Sequence, residues 1–245
     1  MKAFAALCAI ALSVASPARA DGPAVSTLNG KASIEGGAIS TRGQSSAIGI
    51  VQGSLTSPLG HAYGLQLDGL AATSYGQAFG GGAAHLFWRN PAVGLFGPVA
   101  FMSGGQGTRF GGVGAEAEIY APSFTVAGVG GYFDVDAAAR ARSANGGFYF
   151  GRLTVYPVDD VALSLSGGQA IGRVLGIGRL EFQPTALSGR GLSVFLDGRV
   201  GDDSFYRVTA GLRLYFGPPK SLIRRHREDD PVSAPLSADA CFSCW

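Results

Sequence analysis

The stretch from Phe205 to Phe216 constrains this chain more than any other. Val208, Ala210, Leu212, Leu214 and Phe216 share one parity; Arg207, Thr209, Gly211, Arg213 and Tyr215 share the other. A period of two places alternate side chains on opposite faces of a strand, so one face here is apolar and the other polar. Two arginines on the polar face call for a water-filled or salt-bridged side, because an unpaired buried charge is costly.

The same device recurs along the chain. Val161, Leu163 and Leu165 alternate with Ala162, Ser164 and Ser166; Leu65 and Leu67 alternate with Gln66 and Asp68. In Gly114-Ala115-Glu116-Ala117-Glu118-Ile119 both carboxylates fall on one side. Turn signals punctuate the pattern at 57–60, 90–91, 121–123, 157–160, 184–189 and 217–219, a spacing of about 30 residues that suits a strand-loop-strand unit. A second set of connections lies between them at 40–45, 74–76, 104–107, 136–145, 170–173 and 201–203. The resulting strands are 28–39, 47–56, 62–73, 77–89, 93–103, 110–120, 124–135, 146–156, 161–169, 174–183, 191–200 and 205–216. That is about twelve, with ten or fourteen as the alternatives, since 28–39, 77–89 and 174–183 alternate least clearly. Pro98 falls inside a strand and predicts a bulge, because proline cannot donate to a ladder.

A soluble sandwich would also alternate. Composition separates the two: 47% of residues are hydrophobic and only 15% charged, too few charges for a solvated surface of this size. The 39 glycines are spread along the chain, which suits twisted barrel walls rather than a linker or a collagen repeat. Gly128 and Gly131 sit in no strand-loop-helix unit, so they do not read as a nucleotide loop. A net charge of +2 gives no signature for nucleic acid. After residue 20 no run of about 18 apolar residues offers a transmembrane helix. The fold class expected is all-β, an antiparallel transmembrane barrel over 28–217. Strands of about ten residues at a tilt of about 45° cross the apolar band.

Residues 1–20 read as a signal peptide: Lys2, an apolar run at 3–14, and a small-x-small cleavage site at Ala18 and Ala20. Leu7 before Cys8 is too large for lipid attachment. Residues 21–27 form a short lead. Residues 218–245 are expected to be a flexible periplasmic tail, with Arg224, Arg225, His226 and Arg227 followed by Glu228, Asp229 and Asp230, then prolines at 231 and 235. Cys241 and Cys244 form a Cys-x-x-Cys that an oxidising compartment would pair with each other or with a partner thiol.

The sum of these features resembles a Gram-negative outer-membrane β-barrel protein of the porin-like class. The end of the last strand resembles the terminal insertion signal of such barrels, with Thr209, Gly211, Leu214 and Phe216 in its positions. The resemblance implies an outer-membrane location in contact with its lipid, and assembly by the barrel-insertion machinery reading the strand that ends at Phe216. It departs from many such barrels in the tail that follows the terminal aromatic. Trp88, Tyr120, Tyr156, Phe182, Tyr215 and Phe216 precede turns, and Tyr63 and Phe124 follow them, as an interfacial girdle would. Tyr120, Tyr156 and Tyr215 fall on the polar parity unless a bulge flips them.

The inward parity carries Asp68, His85, Arg89, Glu116, Glu118, Arg152, Arg179, Glu181, Asp197, Arg199, Arg207 and Arg213. Two readings of these charges stand side by side. They line a narrow channel for passive diffusion of small polar solutes, or they pair into a salt-bridged plug that closes a structural or surface-interaction barrel. A membrane-embedded hydrolase, on the pattern of the twelve-stranded barrel phospholipases, is a third reading. His61 lies in a turn and His226 in the tail, and His85 faces inward with no serine-histidine-acid arrangement around it, so no catalytic residue is assigned. No cofactor and no metal site are expected, because the tail lacks two further ligands beside its cysteines.

Overall fold

The computed structural model describes residues 22–105, 107–137, 142–170, 172–184, 187, 189–229 and 231. The signal-peptide residues Ala18 and Ala20 and the cysteines Cys241 and Cys244 lie outside them. Twelve strands follow in order: β1 (Asn29–Thr41), β2 (Gln44–Leu59), β3 (Tyr63–Ser74), β4 (Gln77–Asn90), β5 (Gly94–Gly105), β6 (Thr108–Ala121), β7 (Phe124–Ala137), β8 (Arg142–Val158), β9 (Val161–Ala170), β10 (Arg173–Phe182), β11 (Leu192–Gly201) and β12 (Phe205–Phe216). Each pairs antiparallel with its neighbours in sequence, and β12 closes on β1 from Gly30 opposite Phe216 to Ser40 opposite Tyr206. A closed sheet has no free edge, and every strand finds a partner on both sides. A helix, α1 (Leu222–Glu228), follows. It is too short to cross a membrane, and no helix among the described residues could do so.

Alternation decides which way each side chain points. Leu55, Leu67, Phe96, Met102, Val113, Ile119, Leu165, Leu196, Val208 and Leu212 are all exposed on the outer wall. Together they make an apolar band around the barrel. Tyr63, Trp88, Phe124, Phe182 and Phe216 point outward at the end that carries both termini. Tyr120, Tyr156 and Tyr215 do not belong to that girdle: they are buried on the inner wall. The β8–β9 register shifts between Val155 and Val158, and the alternation of exposure persists through Tyr156 and breaks at Pro157 and Val158, which are both exposed.

The bulge expected at Pro98 is absent. His85 stands opposite Val99 and Trp88 opposite Phe96, so the β4–β5 register is the same on either side; the pairing leaves out Leu86, Phe87, Gly97 and Pro98. Neighbouring pairs carry the ladder across the gap, and the proline ring faces outward, exposed. The long connection expected at 136–145 is also shorter, since β7 and β8 pair as far as Ala137 opposite Arg142. Several hairpins turn tightly, whereas β10 and β11 are joined by residues 183–191. Arg42 and Gly43 both adopt positive φ, as do Tyr75 and Gly76, the geometry of two-residue turns that match strand twist. Tyr75 is an unusual residue there, and it is held: Ser46 Oγ accepts from its backbone N–H at 2.9 Å, and its hydroxyl donates to Gln44 O at 2.7 Å.

The hydrophobic core lies inside the barrel. In the half away from the termini Ile39, Ile48, Ile50, Phe79, Phe101, Phe110, Phe133, Phe148, Phe150 and Phe205 pack as one cluster. Phe101 meets Phe110 at 5.2 Å and, edge-on, Phe148 at 5.4 Å between ring centroids. The Phe101 ring lies so close to β6 that a Cβ on Gly112 would sit 2.5 Å from its Cζ. Thus an aromatic collar fills much of the half away from the termini, and most inward charges lie towards the termini; Arg207, opposite Ile39, and its neighbour Arg199 stand beside the collar.

Candidate functional site

The polar half of the inner wall is built from side chains two residues apart on adjacent strands. On β10 to β12 Arg179 stands opposite Asp197 and Asp197 opposite Thr209, while Arg199 stands opposite Arg207. Two arginines facing one another repel unless an anion lies between them. Asp197 supplies it: Arg199 Nε and Arg207 Nη2 both donate to its Oδ1, at 2.8 and 2.9 Å. Glu181 is the second hub. Its Oε1 accepts from Ser193 Oγ at 2.7 Å and Tyr215 OH at 2.8 Å, and its Oε2 from Arg213 Nη1 at 2.7 Å. Arg179 lies over the Phe195 ring at 4.0 Å and stands 3.6 Å from Glu181 and 3.8 Å from Asp197.

A second cluster lies across the lumen on β3, β4 and β6. His85 Nδ1 is 2.8 Å from Glu116 Oε1, and its Nε2 is 3.0 Å from Asp68 Oδ2, with the ring wholly buried. Gln66 donates to Asp68 Oδ1 at 2.7 Å and accepts from Thr56 Oγ1 at 3.1 Å. Glu118 accepts from Tyr120 OH at 2.9 Å. Arg152 on β8 donates to Ser166 Oγ at 2.9 Å. Arg89 stacks on Phe87 and donates to Ala24 O at 3.2 Å. So Asp68, His85, Arg89, Glu116, Glu118, Arg152, Arg179, Glu181, Asp197, Arg199, Arg207 and Arg213 all stand on the inner wall, divided among separate networks. His85 bridges two carboxylates, and His61 is exposed in the β2–β3 connection. The alternation of Ser33, Ile34 and Glu35 carried a signal for one more inward carboxylate: Glu35 accepts from Thr209 Oγ1 at 2.6 Å and Gln52 Nε2 at 2.7 Å.

Two segments cover the mouth at the end of the termini. The lead folds inward: Ala24 N donates to His61 O at 2.7 Å, and Val25 packs on Phe87, Leu95 and Tyr120. The first part of the tail, expected to be flexible, is helical. Leu222 of α1 packs on Tyr156, Ala162 and Tyr215. Its N–H donates to Asp160 Oδ1 at 3.1 Å, and Arg225 Nε donates to Gln183 Oε1 at 3.0 Å. Arg227 Nη2 donates to Ala121 O at 2.6 Å and Phe124 O at 3.0 Å. His226 reaches inward, with Nδ1 3.1 Å from Tyr156 OH and Nε2 3.2 Å from Tyr215 OH. Lys220 ties the helix to the lead through Ser26 Oγ at 2.9 Å and pairs with Asp229. So short a helix leaves no periodic signal in the sequence, and the partners that hold it come from turns remote along the chain.

The fold is that of a Gram-negative outer-membrane β-barrel of the porin-like class. No family model and no curated protein matches the chain. Among solved structures it is similar to the KdgM porin, with 10% identity, 76% of this chain and 99% of that chain covered, and a TM-score of 0.55. An outer membrane channel from Pseudomonas putida F1 is similar over 82% of this chain and 99% of its own, at 13% identity and a TM-score of 0.56. The NanC porin aligns over 76% and 99%, at 9% identity and a TM-score of 0.54. At these identities the likeness is one of fold.

Proposed function

We propose that the protein resides in the outer membrane as a narrow channel for small polar solutes, and that the conformation described above is its closed state. One observation carries the reading: a porin-type barrel with an apolar outer wall places fixed charges of both signs along half of its inner wall. Such charges orient polar solutes, and a hydrophobic constriction next to them gates by dewetting. The aromatic collar is that constriction; the lead and α1 cap the opposite mouth. The barrel-assembly machinery would read β12, where Leu214 and Phe216 face lipid and Thr209 and Gly211 face inward. With both termini at one end of an even-stranded barrel, the tail with Cys241 and Cys244 would lie in the periplasm.

A second reading is a structural barrel whose lumen never opens. The burial of Arg207, Glu181 and Asp197 favours it, since these charged groups are shut away from solvent. Planar-bilayer recording separates the two. Folded wild-type protein should conduct in small, infrequent steps, and Phe101→Ala with residues 218–245 deleted should conduct more often and in larger steps. Silence from both folded proteins would overturn the channel and leave the structural barrel.

A further inference from the structure

We propose that the inner wall around β9 holds an oxyanion-binding site, in which Arg152 and Arg179 grip a carboxylate or phosphate group over Ser164 and Ser166. The proposal rests on the channel reading and deepens it by naming the chemical class of solute the polar half would select.

Charge balance is the first argument. The inner faces of β8 to β12 carry Arg152, Arg179, Arg199, Arg207 and Arg213 against two carboxylates, Glu181 and Asp197. Both carboxylates are engaged: Asp197 by Arg199 and Arg207, and Glu181 by Ser193, Tyr215 and Arg213. Glu118, across Ala127 from Arg152, and Glu35, bonded to Thr209 of β12, add two carboxylates, so five guanidinium groups face four carboxylates in this sector. The remaining positive charge, buried inside the barrel, favours a counter-anion.

Geometry places that anion. Arg152 stands opposite Ser166, and Arg179 opposite Ser164, so the two arginines flank β9 on the same inward face. Strands one apart in a sheet are separated by about 10 Å, a gap two arginine side chains can close over a single anion. Arg152 uses Nε on Ser166, and its terminal nitrogens make no hydrogen bond among the described residues. Arg179 Nη2 is buried with no hydrogen-bond partner, and its distances to the carboxylates exceed hydrogen-bond length. Its guanidinium lies over the Phe195 ring, which fixes the plane of the fork. Planar forks with unspent N–H groups are what carboxylate and phosphate recognition uses.

The test uses folded protein in lipid-free detergent, titrated with inorganic phosphate and, separately, acetate, against sodium chloride at matched ionic strength. Calorimetric titration and thermal melting are the readouts. Phosphate should bind saturably and raise the melting temperature above the chloride control. Arg152→Gln and Arg179→Gln should each weaken binding about ten-fold or more, the loss of a charge-assisted hydrogen bond. Arg152→Lys, which keeps the charge but not the fork, should lie between; Arg42→Gln, in an exposed pair at the rim, should bind like wild type. Heat-modifiable gel migration verifies that each variant is folded, and Arg152→Lys keeps the test open if a glutamine variant is not. Equal stabilisation by chloride, or wild-type affinity in a folded Arg152 variant, would overturn the site. A conducting barrel that ignores phosphate refutes the site alone, and a silent barrel that binds it refutes the channel alone.

Discussion

Removing the Asp197 carboxylate should unlock the β10–β12 wall. In Asp197→Asn the side chain keeps its shape, and Arg199 and Arg207, which face each other across the β11–β12 pair, lose the shared oxygen charge between them. Two ion pairs become bonds from charged donors to a neutral amide oxygen, in a side chain only 2% exposed. Breaking a buried ion pair from one side costs about 3–5 kcal/mol. For a domain of this size each kcal/mol lowers the melting temperature by about 2–4 °C, so the drop should be about 6–20 °C. Urea unfolding from lipid vesicles, followed by tryptophan fluorescence and heat-modifiable migration, measures it. Asp203→Asn is the control. Asp203 also meets two arginines, Arg42 at 3.4 Å and Arg173 at 2.9 Å, but on an exposed turn, where a pair is worth about 0–1 kcal/mol. Arg207→Gln added to Asp197→Asn should recover part of the loss by removing a stranded charge. If Asp197→Asn costs no more than Asp203→Asn, the inner wall is hydrated and screened, and the reasoning from a dry ionic lock fails.

Three further outcomes are expected. Gly211→Ala should cost about 1–3 kcal/mol, because the new Cβ would lie 2.5 Å from Phe195 Cζ and 2.8 Å from Glu35 Cβ; equilibrium unfolding measures it, and a neutral result would show that the β1–β12 seam is loose. Phe216→Ala should lower the yield of heat-modifiable barrel in cells while sparing refolding of purified protein in detergent, since Phe216 faces outward and packs no core; equal yields would refute the proposal that β12 carries an insertion signal. At α1, burial pushes the Glu228 carboxyl up, but the hydrogen bond from Arg224 and the charge of Lys220 outweigh it and hold the group below the usual carboxylate range. A depressed folded-state value contributes stability above the unfolded value, about 4.3, and loses it as pH falls through the folded one. Amide exchange in 222–228 should therefore be flat from neutral pH to about 4.5, after correction for intrinsic rates, and quicken below it, with the Glu228→Gln variant lacking that step.

The period of two settled much of this protein in advance. Alternation is a local property of the backbone, so Val208, Leu212 and Phe216 had to share one face and Arg207, Arg213 and Tyr215 the other whatever their neighbours were. The turn signals bounded twelve strands close to where they lie, including β1, β4 and β10, whose patterns were weakest. Parity also put Arg179, Glu181, Asp197 and Arg199 on one wall. It could not give height or partner, because these depend on the register between strands. Only closure of β12 on β1 set Glu35 against Thr209, and only the interstrand registers brought Arg199 and Arg207 face to face with Asp197 between them. Parity treats Phe79, Phe101 and Phe148 as inward residues like any others; the tertiary structure gathered them into one half of the lumen and left most of the charges in the other. It also turned Tyr156 and Tyr215 from an expected membrane girdle into the seat of α1, whose partners on the β6–β7 and β8–β9 turns and at Gln183 are far apart in the chain. Direction along a strand is written in consecutive residues, whereas what meets across the interior depends on how the strands are staggered around the barrel.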